Sequence, residues 1–298
     1  MATGRVVGQT GPLPACIKKV PAHSLKNESN STPDLTSKDK KEAEKRVAVT
    51  ALVVHEAIRK QGEEELERTP SALAWSGFAA GLSMCFSLIA EGLIRSHLPD
   101  TAWRPLLVSL GYPFGYLIVI IGRQQLFTEN TLTAVIPVLA HRNMATLVPM
   151  LRLWIIVLAA NLAGAHLGAW TLANVHVFPP EVERAFGEIG RDAAAVMPGV
   201  AILKGVLAGW LIAMVVWMLA SERSGHVAII AILTYAVGLG QFPHVIAGSI
   251  EVLYLAMSGS SSWSHWSLTY FLPTLLGNIL GGVSLVSVLN HAQVVAGR

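Results

Sequence analysis

Charge is what this sequence lacks most. Only 14% of its 298 residues are Asp, Glu, Lys or Arg, against about 25% in ordinary soluble proteins. What charge there is crowds one end. Residues 1–70 hold 12 of the 22 Lys and Arg and 10 of the 19 Asp and Glu, which leaves 10 and 9 for the other 228 residues, about 8%. A soluble domain of that size needs far more charge to cover its surface, so an ordinary soluble enzyme core is excluded. The two cysteines, Cys16 in a polar stretch and Cys85 in an apolar one, exclude a disulfide framework. A net charge of +3 is too small to point to nucleic acid. Enzyme signatures are missing as well: there is no G-x-S-x-G, no phosphate-binding loop and no dinucleotide fingerprint. No pair of histidines has H-x-x-x-H spacing, so neither a metal site nor a cofactor is expected.

Residues 1–37 are rich in Pro, Ser, Asn and Lys and hold no apolar run long enough for a signal-peptide core. They read as a disordered tail. Over 38–69, Val47, Val49, Leu52, Val53, Ala57 and Ile58 recur at near-helical spacing among Lys, Arg and Glu. This predicts an amphipathic helix lying near the membrane, on a neighbouring subunit, or solvated on the surface.

From about residue 70 to 291 the chain is a series of apolar stretches. A spanning helix needs roughly 20 apolar residues, and the candidates are 72–94, 105–140, 148–173, 197–220, 226–258 and 268–290. The second and fifth are too long for one span and carry GRQQLFTEN at 122–130 and GLGQFPHV at 238–245. Irregular backbone at membrane depth is tolerated only where protein buries it or it lines a polar cavity, and paired broken helices point to a transport site. The two halves correspond. Asn161-x-x-Gly164 recurs as Asn278-x-x-Gly281 at an offset of 117, Phe127 as Phe242 at 115, and Gly77-x-x-x-Gly81 as Gly205-x-x-x-Gly209 at 128. The asparagines and small residues are expected at helix contacts. Three spans per half require the halves to be inverted. Lys and Arg favour the side of both termini, with Arg142, Arg152, Arg223 and Arg298 there, so both termini and residues 292–298 are expected in the cytoplasm.

Polar groups at bilayer depth default to functional readings. At the first break stand Arg123, Gln124, Gln125, Thr128 and Glu129; at the second, Gln241, His244 and Glu251. Pro243 opens the second half of the fifth span, which predicts free N–H groups aimed at the break and an anion-favouring helix end beside His244. An imidazole there could exchange a proton with a passing weak acid. Packing between helices is the plainer role for His244. Lys204 attracts anions to a vestibule or snorkels. Glu251 pairs with a cation between subunits or serves a proton path, the structural ion pair being the plainer role, and the loop histidines are expected in solvent.

These residues resemble the formate/nitrite transporter family, in a divergent bacterial branch. Leu126-Phe127-Thr128 after the broken second helix is similar to its L-F-T motif, and Phe242-Pro243-His244-Val245-Ile246-Ala247-Gly248 to its F-E-H-S-I-A-N motif. Gly205 to Met218 resembles its G-I-L-C-N-W-L-V-C-L-A-V-W-M helix, and the resemblance covers about 70–290. It implies an all-α, aquaporin-like fold of six spans in two inverted three-helix repeats, with helices 2 and 5 broken. It further implies a homopentamer in a bacterial inner membrane that passes a small monovalent anion, such as formate or nitrite, with a proton. By position, His244 is the pore histidine and Thr128 faces it. Leu126 and Phe127 line the narrow region, and Tyr112 and Tyr116 stand where the family has apolar constriction residues. Three departures stand out. Pro243 replaces a Glu, Gly209 and Gly248 replace two pore-side asparagines, and Arg191 is the nearest match to a basic loop residue. Losing both amides removes donors and adds volume. The expected function is therefore proton-linked transport of a small anion or its neutral acid. A channel for a small neutral solute is one alternative, weakened because the twin N-P-A signature is absent. A membrane scaffold or sensor with a closed pore is the other.

Overall fold

The computed structural model describes residues 50–222 and 224–296, the side chains of 285, 286 and 295 excepted. The 1–37 tail with Cys16, the stretch holding Val47 and Val49, Arg223 and Arg298 lie outside the described residues. The described chain is helical: α1 (Ala51–Glu67), α2 (Pro70–Ser96), α3 (Arg104–Ile121), α4 (Asn130–His141), α5 (Met144–Asn174), α6 (Pro180–Ala194), α7 (Pro198–Ser221), α8 (His226–Leu239), α9 (Ala247–Met257) and α10 (His265–Val294). Starts are written locally. Thr69 accepts a hydrogen bond from the Ala72 N–H before Pro70, Asn143 accepts one from Thr146, and Pro180 and Pro198 begin α6 and α7. Proline suits that position because its missing N–H would be unpaired there anyway.

Helices α2, α3, α5, α7 and α10 are each long and apolar enough to cross a membrane. The sixth span is α8 continued by α9 across a break, just as α3 is continued by α4. In each half the first and third spans pack along each other, α2 on α5 and α7 on α10. Apolar side chains gain little by leaving lipid for protein, so close backbone approach carries this packing. A Cβ on Gly81 would meet the Asn161 carbonyl, and one on Gly164 the Phe78 carbonyl. In the second half, Gly209 meets the Asn278 carbonyl and Gly281 that of Val206 in the same way. The contacts repeat with the sequence offsets of 128 and 117. The protein is thus a multi-pass, all-α membrane protein of two inverted three-helix repeats.

The short helices close the ends. The buried face of α1 is Val54, His55, Ile58, Gly62 and Leu66, and it packs on Leu132 and Ile136 of α4 and Ala213 of α7. Leu52, Val53 and Ala57, expected on that face, are exposed. The helix therefore covers its own bundle. Arg152 of α5 pins its end, donating to the carbonyls of Leu66 at 2.7 Å and Arg68 at 3.1 Å. At the other end α6 turns Val182, Phe186 and Ile189 inward against α2 and α9.

Candidate functional site

Each break starts as a Schellman turn. The N–H of Gln124, three residues past the end of α3, reaches back to the Val119 carbonyl at 2.9 Å; in the other half Phe242 reaches Val237 at 3.0 Å. The turn needs a left-handed residue, normally glycine. Here Arg123 (φ 54°) and Gln241 (φ 47°) take that conformation, 118 residues apart.

An irregular stretch follows each turn, and one buried asparagine clamps each stretch. Asn161 accepts from the Phe127 N–H at 2.9 Å and donates to the carbonyls of Gly77 at 2.7 Å and Gln125 at 2.8 Å. Asn278 accepts from the Val245 N–H at 2.9 Å and donates to Gly205 at 2.9 Å and Pro243 at 3.0 Å. An amide suits the task because one side chain offers both an acceptor and two donors. The clamps also fix the register between halves. Phe127 corresponds to Val245, at an offset of 118, and not to Phe242 as the phenylalanine spacing of 115 suggests.

His244 and Thr128, from opposite breaks, are both fully buried, with the Thr128 hydroxyl 2.8 Å from His244 Nε2. Nδ1 of His244 accepts from the backbone N–H groups of Ile246 at 3.3 Å and Ala247 at 3.2 Å. Two donors on Nδ1 require a lone pair there, so the neutral ring carries its proton on Nε2 and donates to Thr128. An imidazolium would aim a third N–H at those two. The same bonds overturn the expected anion site at this helix end. The Val245 N–H goes to Asn278, those of Ile246 and Ala247 to His244 Nδ1, and that of Gly248 to the His244 carbonyl at 3.1 Å. Tyr116 packs edge-on against the imidazole at 5.3 Å between ring centres and donates to the Tyr112 hydroxyl at 3.2 Å.

A cavity of about 230 Å³ leads from the α6 end down to His244. Tyr112, Phe242, Gly248 and Gln241 are on its wall, with Glu91, Glu251 and Tyr270 deep inside. Leu126, Phe127, Thr128 and Tyr116 are buried beyond it, and Phe127 packs on Trp154. Several expected sites stand elsewhere. Gly209 is at the α7–α10 crossing, off the cavity wall. Gly248 adds no free volume, because the Tyr270 hydroxyl fills the place of its Cβ. Lys204 neither snorkels nor reaches the cavity; its ammonium lies 3.4 Å from the Gly240 carbonyl at the second break. Arg191 is exposed and off the wall, and the guanidinium groups at the rim are Arg95 and Arg104. Among the described residues, Glu251 has no cationic partner within 4.0 Å. Among the loop histidines expected in solvent, His291 is half-buried and stands 2.9 Å from His55.

Two inverted repeats whose broken helices meet at a buried polar centre define a membrane transport pore. The sequence profile of the family described as Formate/nitrite transporter matches residues 52–292, and the chain belongs to that family, whose members are transporters and channels rather than enzymes. It is 40% identical over 276 residues to the "Inner membrane protein YfdC" of Escherichia coli (strain K12), covering 93% of this chain and 89% of the relative. Two solved structures share the fold. A "Pentameric formate channel with formate bound" has a TM-score of 0.62 at 19% identity, over 80% of this chain and 99% of its own. An "FNT family ion channel" has a TM-score of 0.67 at 20% identity, over 80% and 98%.

Proposed function

We propose that the protein carries a small monovalent anion together with a proton, so that the solute crosses as its neutral weak acid. The observation behind this reading is the end of the cavity. It stops at a fully buried imidazole bonded to Thr128. A bare ion in such a place faces a barrier of several kcal/mol, on the order of 2.5–3.5 even by mild insertion scales. A neutral acid does not. His244 contributes a hydrogen-bonding station that stays uncharged, while Tyr112, Tyr116, Phe242, Leu126 and Phe127 form the narrow walls. Arg95 and Arg104 draw anions to the rim. Formate and nitrite are the first solutes to test, since one structural neighbour binds formate. We further assign a homopentamer, by analogy with that pentameric channel. The α1 end and both termini are placed in the cytoplasm of a bacterial inner membrane, supported by the Lys and Arg bias.

The test is a flux assay on the purified protein in liposomes. It compares formate, nitrite, acetate and hydrosulfide at two external pH values. Weak-acid uptake by the natural sequence should rise as external pH falls. His244→Ala removes the bond to Thr128 and uncaps the Ile246 and Ala247 N–H groups, so its flux should change by about tenfold or more and its pH profile should shift. An unchanged rate and profile would refute the role given to His244.

A further inference from the structure

The deepest charged groups in the cavity are a pair of carboxyls that the pore histidine does not explain. Glu91 on α2 and Glu251 on α9 are 6% and 8% exposed, and both line the cavity beside His244. Glu91 Oε2 is buried and has no hydrogen-bond partner. Neither nearby guanidinium group is ion-paired with Glu91 or Glu251. Arg95 is held by Glu188 at 2.8 Å and Asp192 at 3.0 Å, both on α6. Arg104 on α3 pairs with Asp100 at 3.5 Å and Glu188 at 3.8 Å. Asp192 lines the same cavity and adds negative charge, while Arg95, one turn along α2 from Glu91, offsets part of it. Tyr112 and Tyr116 of α3 and Tyr270 of α10 stand around the pair. Hydroxyl groups can bond a carboxyl in either protonation state, so they do not force ionisation. Two carboxylates lining one low-dielectric cavity, neither bonded to a cation and with Asp192 on the same wall, oppose each other's ionisation.

We propose that Glu91 and Glu251 form a proton-holding carboxyl pair that selects for solutes able to accept a proton. The pair holds one proton at rest. When a weak-acid anion enters, the O–H bond of the protonated glutamic acid breaks as a new O–H bond forms on the solute's oxyanion. The neutral acid moves on past His244, and a proton from solvent, entering past Asp192, restores the pair. One anion and one proton cross per cycle. Anions of strong acids, such as nitrate, cannot take the proton and are turned back by the negative cavity. The solute selection rests on the weak-acid reading above; the shared proton does not.

Two measurements separate these layers. Infrared titration of the purified full-length protein should show a carboxylic-acid C=O band at neutral pH that both Glu91→Gln and Glu251→Gln diminish or shift. Glu129, half-buried with one unpartnered oxygen, is untouched in both variants, so any band it gives is retained. If neither variant alters the band, the pair is ionised and the proposal is wrong. In liposomes, the double variant Glu91→Gln/Glu251→Gln should lower formate flux by about tenfold or more and flatten its dependence on external pH. It should also narrow the preference for formate over nitrate. Wild-type rate, pH profile and preference in an assembled double variant would overturn the selecting role. A natural protein that carries no weak acid would sink the transport reading and the selection with it, while the infrared result still decides the shared proton.

Discussion

Asn278→Ala should destabilise the protein by about 2–6 kcal/mol, as should Asn161→Ala, because each strands two buried backbone groups of a break at about 1–3 kcal/mol apiece. In the first case these are the Val245 N–H and the Pro243 carbonyl; in the second, the Phe127 N–H and the Gln125 carbonyl, while the helical carbonyls of Gly205 and Gly77 lose only a second donor. No water stands ready to replace the amide, since both asparagines are fully buried. Alanine also leaves the backbone of each break free to shift, and the breaks carry Thr128 and His244. The loss should appear as a lower unfolding temperature and a smaller yield of folded protein in detergent. Asn278→Asp keeps the acceptor for Val245 but turns two donor contacts into repulsion between oxygens, so it should be no milder. If either alanine variant melts with the natural protein, the asparagines are ordinary packing residues and do not hold the breaks.

The spans and breaks were legible because lipid imposes a simple rule: an apolar run of fixed length, interrupted only where protein supplies partners. The asparagine repeat was legible as a repeat, yet its role was not. Spacing shows that Asn161 and Asn278 recur, but only the fold brings each within 3.0 Å of a break lying 33 to 36 residues away. The register of the halves failed for a related reason. Phe127 and Phe242 are conspicuous, while the equivalence is set by the backbone N–H that the asparagine holds, and that belongs to Val245.

Which charges reach the cavity is decided by tertiary geometry. Arg191 is near the right loop in sequence, but α6 is amphipathic and turns its other face inward, leaving Arg191 outside and Arg95 and Arg104 at the rim. Glu91 passed unnoticed beside Arg95, four residues on, as part of a span end. A carboxylate inside an apolar run in a region with about 8% charge was a signal in itself. Its neighbour Glu251 is 160 residues away, a separation no local pattern reveals.

Restoring the family's asparagines should break this protein rather than convert it, and the two positions should fail differently. At Gly209 a Cβ meets backbone: the Asn278 carbonyl, its Cα at 2.8 Å and its carbonyl carbon at 2.9 Å. Helix α10 would have to move away from α7 and take the second clamp with it. Gly209→Asn should therefore cost more than about 3 kcal/mol, the upper end for overpacking a fitted core, and should abolish folding in most of the protein. At Gly248 the obstacle is a side chain, the Tyr270 hydroxyl. That phenol is 2% exposed and cannot swing away, so Gly248→Asn alone should also lose stability. Removing the phenol should relieve it. The double variant Gly248→Asn/Tyr270→Ala should recover much of the lost unfolding temperature, with a coupling of about 1–3 kcal/mol, whereas Tyr270→Ala should do nothing for Gly209→Asn. Additive effects at the first pair would mean that Tyr270 does not occupy the place of the missing amide. Coupling there and none at Gly209 would mean that Tyr270 holds, at the cavity wall, the place a side chain at position 248 would take.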